Sequence, residues 1–108
     1  MTPEEFNVLH KATVTKRDWV QMAPRFHCAD GFVISIQASG SHYSTPREFN
    51  GWPYWQFECG YPSTEEQMIM PFSEDPGNPT STVYGYVPVE IVCEMINKHG
   101  GIKTEATK

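Results

Sequence analysis

The 108-residue chain carries 13 acidic and 8 basic side chains, a formal net charge of −5, with 39% hydrophobic and 13% aromatic residues. That length provides one core rather than two. The acidic balance excludes a protein that coats duplex nucleic acid through surplus Lys and Arg. Only 19% of residues are charged, so burial can offset the entropy of ordering, which excludes disorder of the whole chain.

Taken from the start, Thr2-Pro3-Glu4-Glu5 combines an N-cap hydroxyl, a proline at the first helical position and a glutamate at capping-box spacing. With Phe6, Leu9 and His10 following at helical intervals, it predicts a helix near residues 3–11. Thr15-Lys16-Arg17-Asp18 repeats a cap-like pattern ahead of Trp19, Val20 and Met22, which predicts a second short helix ending at Pro24. Thr13-Val14-Thr15 offers the start of a strand as the lesser alternative. Residues 25–28 and 32–38 flank Asp30-Gly31, the signature of a β-hairpin. Phe32, Ile34, Ile36 and Ala38 fall on one face; Ser35, Gln37 and Ser39 fall on the other.

Residues 39–53 form a long polar loop. Trp55, Phe57, Cys59 and Tyr61 then alternate with Gln56 and Glu58 as a strand with one buried face. Residues 62–80 hold four prolines and little periodicity, a loop or flap over the fold. Thr82 to Val87 suit a strand. Pro88, Glu90 and the stripe Ile91, Val92, Met95 and Ile96 predict a final helix stopped by Gly100-Gly101. The architecture expected is one α+β domain over residues 1–108. An antiparallel sheet of three to five strands carries a C-terminal helix and one or two short N-terminal helices packed on it, and residues 103–108 fray.

The acidic opening is unlike the cationic start of a secretory signal, and no apolar run is long enough to span a bilayer. Cys28, Cys59 and Cys93 are odd in number and widely spaced, which suits buried thiols in a reducing compartment. A cytoplasmic protein without membrane contact is the expectation. No metal-ligand spacing occurs, because neighbours such as His27 and Cys28 point opposite ways on a strand. No nucleophile elbow occurs either, and nothing groups the acids Asp30, Glu48 and Glu58. Binding is therefore expected rather than catalysis, with no catalytic residue, metal or cofactor assigned.

The densest chemistry lies in residues 37–52. Gln37, Ser39, Ser41, His42, Tyr43, Ser44, Arg47 and Trp52 supply hydroxyls, an imidazole, an amide, a guanidinium and aromatic faces. Hydroxyls and backbone N–H groups around Gly40 suit phosphate oxygens, Arg47 suits a bidentate anion contact, and Tyr43 or Trp52 suits base stacking. Tyr84-Gly85-Tyr86-Val87-Pro88 joins strand to helix and reads chiefly as tyrosines packed across the sheet.

Three of these stretches also carry a resemblance. Ser35-Ile36-Gln37-Ala38-Ser39 continued by His42-Tyr43-Ser44 and Pro46-Arg47, then Glu58-Cys59-Gly60-Tyr61-Pro62-Ser63, then residues 82–90 and Lys98-His99-Gly100-Gly101, resemble small accessory proteins of tailed phages and prophages. The resemblance covers residues 31–103. In size and in pairing a sheet with C-terminal helices the chain also loosely resembles the Thoeris anti-defence sponges. Those proteins hold cyclic ADP-ribose-type or cyclic oligonucleotide signals at subunit interfaces, and no ligand residue of theirs aligns here one by one.

Three Trp, five Tyr and six Phe are a surplus that a small domain buries by pairing, so a homo-oligomer is expected. With the 37–52 loop, the resemblance implies an accessory protein of the host-cell cytoplasm that sequesters a small phosphorylated, nucleotide-like ligand, such as a host immune signal. The alternative is an acidic inhibitor that docks on a host or phage protein, for example by imitating nucleic acid. Arg47 and the serine-rich loop favour the first; the acids between Glu65 and Asp75 favour the second.

Overall fold

A computed structural model describes residues 1–17 and 20–103. The first helix, α1 (Pro3–Thr13), starts as its capping box requires: Thr2 Oγ1 accepts from the Glu5 backbone N–H at 3.1 Å, and the Thr2 N–H donates to Glu5 Oε1 at 2.8 Å. Phe6, Asn7 and His10 form its buried face. Instead of a second helix, β1 (Thr15–Arg17) and β2 (Val20–Met22) pair as an antiparallel ribbon, with Thr15 opposite Met22. Asp18 and Trp19 lie outside the described residues. The cap-like pattern fails here because so short a helix is marginal by itself, and a tertiary contact holds the extended alternative. The Gln21 amide donates to the Ala38 carbonyl at 2.6 Å and accepts the Asn50 N–H at 2.8 Å.

The main sheet is an antiparallel meander in the order β3 (Phe26–His27), β4 (Val33–Gln37), β5 (Gln56–Gly60), β6 (Val83–Pro88). Alternation, shifted on β6 by a bulge between Tyr84 and Val87, places Phe26, Ile34, Ile36, Phe57, Cys59, Tyr84 and Val87 in the core. There they meet Phe6 and His10 from α1 and Val92, Met95 and Ile96 from α2 (Val89–Lys98). Phe6 and Phe57 cross edge-on with ring centres 5.1 Å apart, a favourable aromatic geometry. Pro88 is the N-cap of α2 and not its first helical residue. Gly100 closes the helix at φ +89°, a conformation that side chains rarely adopt.

Three local readings are revised. Trp55 and Tyr61 do not share the buried face of β5. Tyr54 takes the inward position ahead of the strand, its N–H and C=O both held by the Asn7 amide, so Trp55 turns outward. Tyr61 leaves the strand at φ 50°. The segment over residues 62–80 contains a 3-10 turn, Gln67–Phe72, which buries Ile69 and is capped by the buried Glu66. Lys103, expected to fray, is tied by its N–H to the His27 carbonyl at 2.7 Å; residues 104–108 lie outside the described ones. No helix among the described residues is long and apolar enough to cross a membrane.

Candidate functional site

The outer face of the sheet, away from the helices, carries Ser35 and Gln37 on β4 and Glu58 on β5, with Gln37 and Glu58 in direct register. Residues 39–47 fold back across this face. The Thr45 N–H pairs with Gln56, and the Tyr86 N–H donates to the Tyr43 carbonyl at 3.0 Å. That crossing is close at Gly85, where a Cβ would stand 3.2 Å from Tyr43 Cβ and force the loop to give by a few tenths of an ångström. A bulge on β6, opposite Glu58, sets Tyr86 at φ 55° and turns its ring to solvent. A cleft of about 290 Å³ is left between loop and sheet, lined in part by Met22, Ser35, Gln37, His42, Glu58 and Tyr61.

Inside it, His42 Nε2 lies 4.0 Å from Glu58 Oε1, with both side chains only 15% exposed. Burial, the largest influence, lowers the His42 pKa, and the Arg47 charge lowers it further. Burial also raises the Glu58 pKa, against the opposing pulls of a Tyr43 backbone hydrogen bond and of Arg47. Both groups are thus pushed toward their neutral forms, a pairing of perturbed groups that concentrates at functional sites. The Arg47 guanidinium, whose charge acts on both groups, sits over the Tyr43 ring, 5.2 Å from its centre. The Tyr86 ring stacks on Tyr43 at 5.8 Å. Among the described residues no carboxylate lies within ion-pair distance of Arg47.

The expected ligand residues thus separate by role. His42 lines the cleft, and Arg47 stacks on its neighbour Tyr43. Ser39 is wholly buried and fixes His42, its Oγ 2.6 Å from Nδ1. Ser41 contacts the same Oγ at 3.1 Å and is itself exposed. Ser44, also buried, ties the loop by accepting the Ser39 N–H at 3.3 Å and donating to the Ser39 carbonyl. Gln37 reaches the cleft, but its amide is engaged with the Ala23 backbone at 2.8 and 2.9 Å. Trp52 is half-buried, donates to His10, and lines a different depression with Val8 and Lys11.

Glu58 is the group that sequence grouping missed. Its signal was available in the strand alternation, which put it on the polar face, but the loop that brings His42 to it is nonlocal. The three cysteines are buried among the described residues. Cys59 is wholly buried, and burial pushes its thiol pKa well up; Cys28 is raised to about 11, chiefly by burial. The chain matches no protein-family model, no curated protein and no solved structure.

Proposed function

We propose that the protein binds a small anionic, nucleotide-like ligand at this cleft without transforming it. The hydrogen-bonding edge of a ring lies against His42 and Glu58, and its phosphate reaches Arg47. The observation that carries the reading is Arg47: its guanidinium sits over Tyr43 beside a polar cleft, and among the described residues no carboxylate is within ion-pair distance of it. An imidazole and a carboxyl, each pushed toward its neutral form by burial, supply hydrogen-bonding groups that suit a heterocycle edge. The buried Ser39 hydroxyl holds His42 in place and faces no substrate. Together with the phage-protein resemblance, the reading extends to a homo-oligomeric accessory protein of the host cytoplasm that sequesters a signalling nucleotide.

The test is calorimetry of wild type and Arg47→Ala against a panel of cyclic nucleotides and ADP-ribose derivatives. At least one phosphorylated member should bind. A charge-assisted contact of about 1.5–3 kcal/mol makes Arg47→Ala weaker by roughly ten- to hundred-fold with unchanged folding. A panel on which nothing binds, or an alanine variant that binds equally well, sinks the reading.

A further inference from the structure

A second depression, a groove of about 480 Å³, opens where the start of α1, the Pro53–Gln56 stretch and the start of α2 meet. Pro3, Pro53, Trp55 and Pro88 wall it, and Glu4 and Glu90 line it as well. It shares Glu4, Asn7 and Pro53 with a further apolar depression beside Val8. The surface left open is large: Trp55 is 69% and Val8 71% exposed. A contiguous apolar surface of this kind marks an interaction site more often than scattered exposed residues do.

Trp55 is exposed yet rigidly mounted. Its N–H donates to the Thr45 carbonyl at 2.7 Å, and its carbonyl accepts the Val89 N–H at 2.8 Å. An indole held this way meets a partner without losing backbone freedom, the property of a binding anchor. Charge identifies the partner. Among the described residues neither Glu4 nor Glu90 has a basic side chain within ion-pair distance. Two such carboxylates beside an indole face favour a cation on an aliphatic stem.

We propose that this groove docks a basic segment of a partner protein. An arginine or lysine lays its stem along Trp55 and its charge toward Glu4 and Glu90, while a neighbouring apolar side chain fills the proline-walled floor. A second copy of this chain seated groove to groove is a poor occupant, because it would set Glu4 and Glu90 against their own counterparts. Nucleic acid is repelled by the same carboxylates. The proposal goes beyond the small-ligand reading and rests on different side chains.

The experiment selects a random-peptide display library on the immobilised full chain. Recovered peptides are then titrated against wild type, Trp55→Ala and the double variant Glu4→Gln/Glu90→Gln. The peptides should share a basic residue beside an apolar one. Each variant should weaken them by about tenfold or more, and affinity should fall as salt rises. The glutamate pair carries the test alone if Trp55→Ala fails to fold. Recovery of no peptide, of peptides without a basic residue, or of peptides indifferent to the variants overturns the proposal. So does a dimer in sedimentation that the groove variants dissociate, which assigns the groove to a second copy.

Discussion

The Trp52 indole N–H lies 3.1 Å from His10 Nδ1, while His10 Nε2 lies 2.9 Å from the Ile36 carbonyl oxygen. An indole nitrogen only donates, so Nδ1 accepts and Nε2 carries the proton given to Ile36. Protonating His10 would set N–H against N–H at a residue with no exposure. Burial, the largest influence, takes its pKa from 6.5 down to about 4, although the Ile36 bond pulls upward. His99 is arranged in the opposite sense. Its two nitrogens meet Glu66 at 2.7 Å and Asp30 at 2.6 Å, and these bonds outweigh burial and raise its pKa.

These two histidines predict a stability maximum near pH 6.5. As pH falls from 6.5 toward 4, the unfolded chain takes up a proton that folded His10 refuses, so stability is lost. Asp30, held down chiefly by the Phe32 N–H, and Glu66, held down by Lys98, His99 and Met68 against burial, add a further loss as pH falls through their lowered values. The His99 contribution is complete below 6.5 and is lost as pH rises through its raised folded value. Urea unfolding over a pH series should show both limbs, and His99→Gln should flatten the alkaline one. Stability that climbs steadily from pH 6.5 to about 8 contradicts the assignment.

Ser39→Ala tests the mounting of His42. The lost hydroxyl accepts the Ser41 N–H at 3.0 Å and contacts His42 Nδ1. Leaving those groups unpaired at a buried position costs about 1–3 kcal/mol. The His42 ring resonances should broaden or shift by NMR, and affinity for any ligand found at the cleft should fall with them. An unchanged His42 spectrum would show that the loop backbone alone fixes the ring.

Cys59→Ser should destabilise by roughly 1–3 kcal/mol through burial of a hydroxyl in the apolar core, without loss of ligand binding. In the folded protein Cys28, Cys59 and Cys93 are all buried and should resist thiol reagents until denaturant is added. Rapid modification of Cys59 under native conditions would falsify its place on the inner face of β5.

The sequence by itself determined whatever depends on neighbours along the chain. The Thr2–Glu5 capping box, the Asp30-Gly31 hairpin, the apolar faces of β4 and α2, and the Gly100 stop each follow from local stereochemistry and period, and each stands in the structure. The candidate site was legible as a concentration of donors in residues 37–52, but not as a geometry. Ser39, Ser44, Gln37, Trp52, His42 and Arg47 all offer hydrogen-bonding groups on paper. Only the folded chain turns Ser39, Ser44 and Trp52 to structural contacts, sets Gln37 and His42 at the cleft and stands Arg47 over Tyr43 beside it. The ribbon of β1 and β2 likewise depended on Gln21 finding Ala38 and Asn50. The outward turn of Trp55 depended on Asn7 claiming the Tyr54 backbone across 47 residues. Such bonds join positions far apart in the chain, so no window of sequence contains both partners, and tertiary packing decides between local alternatives of nearly equal energy.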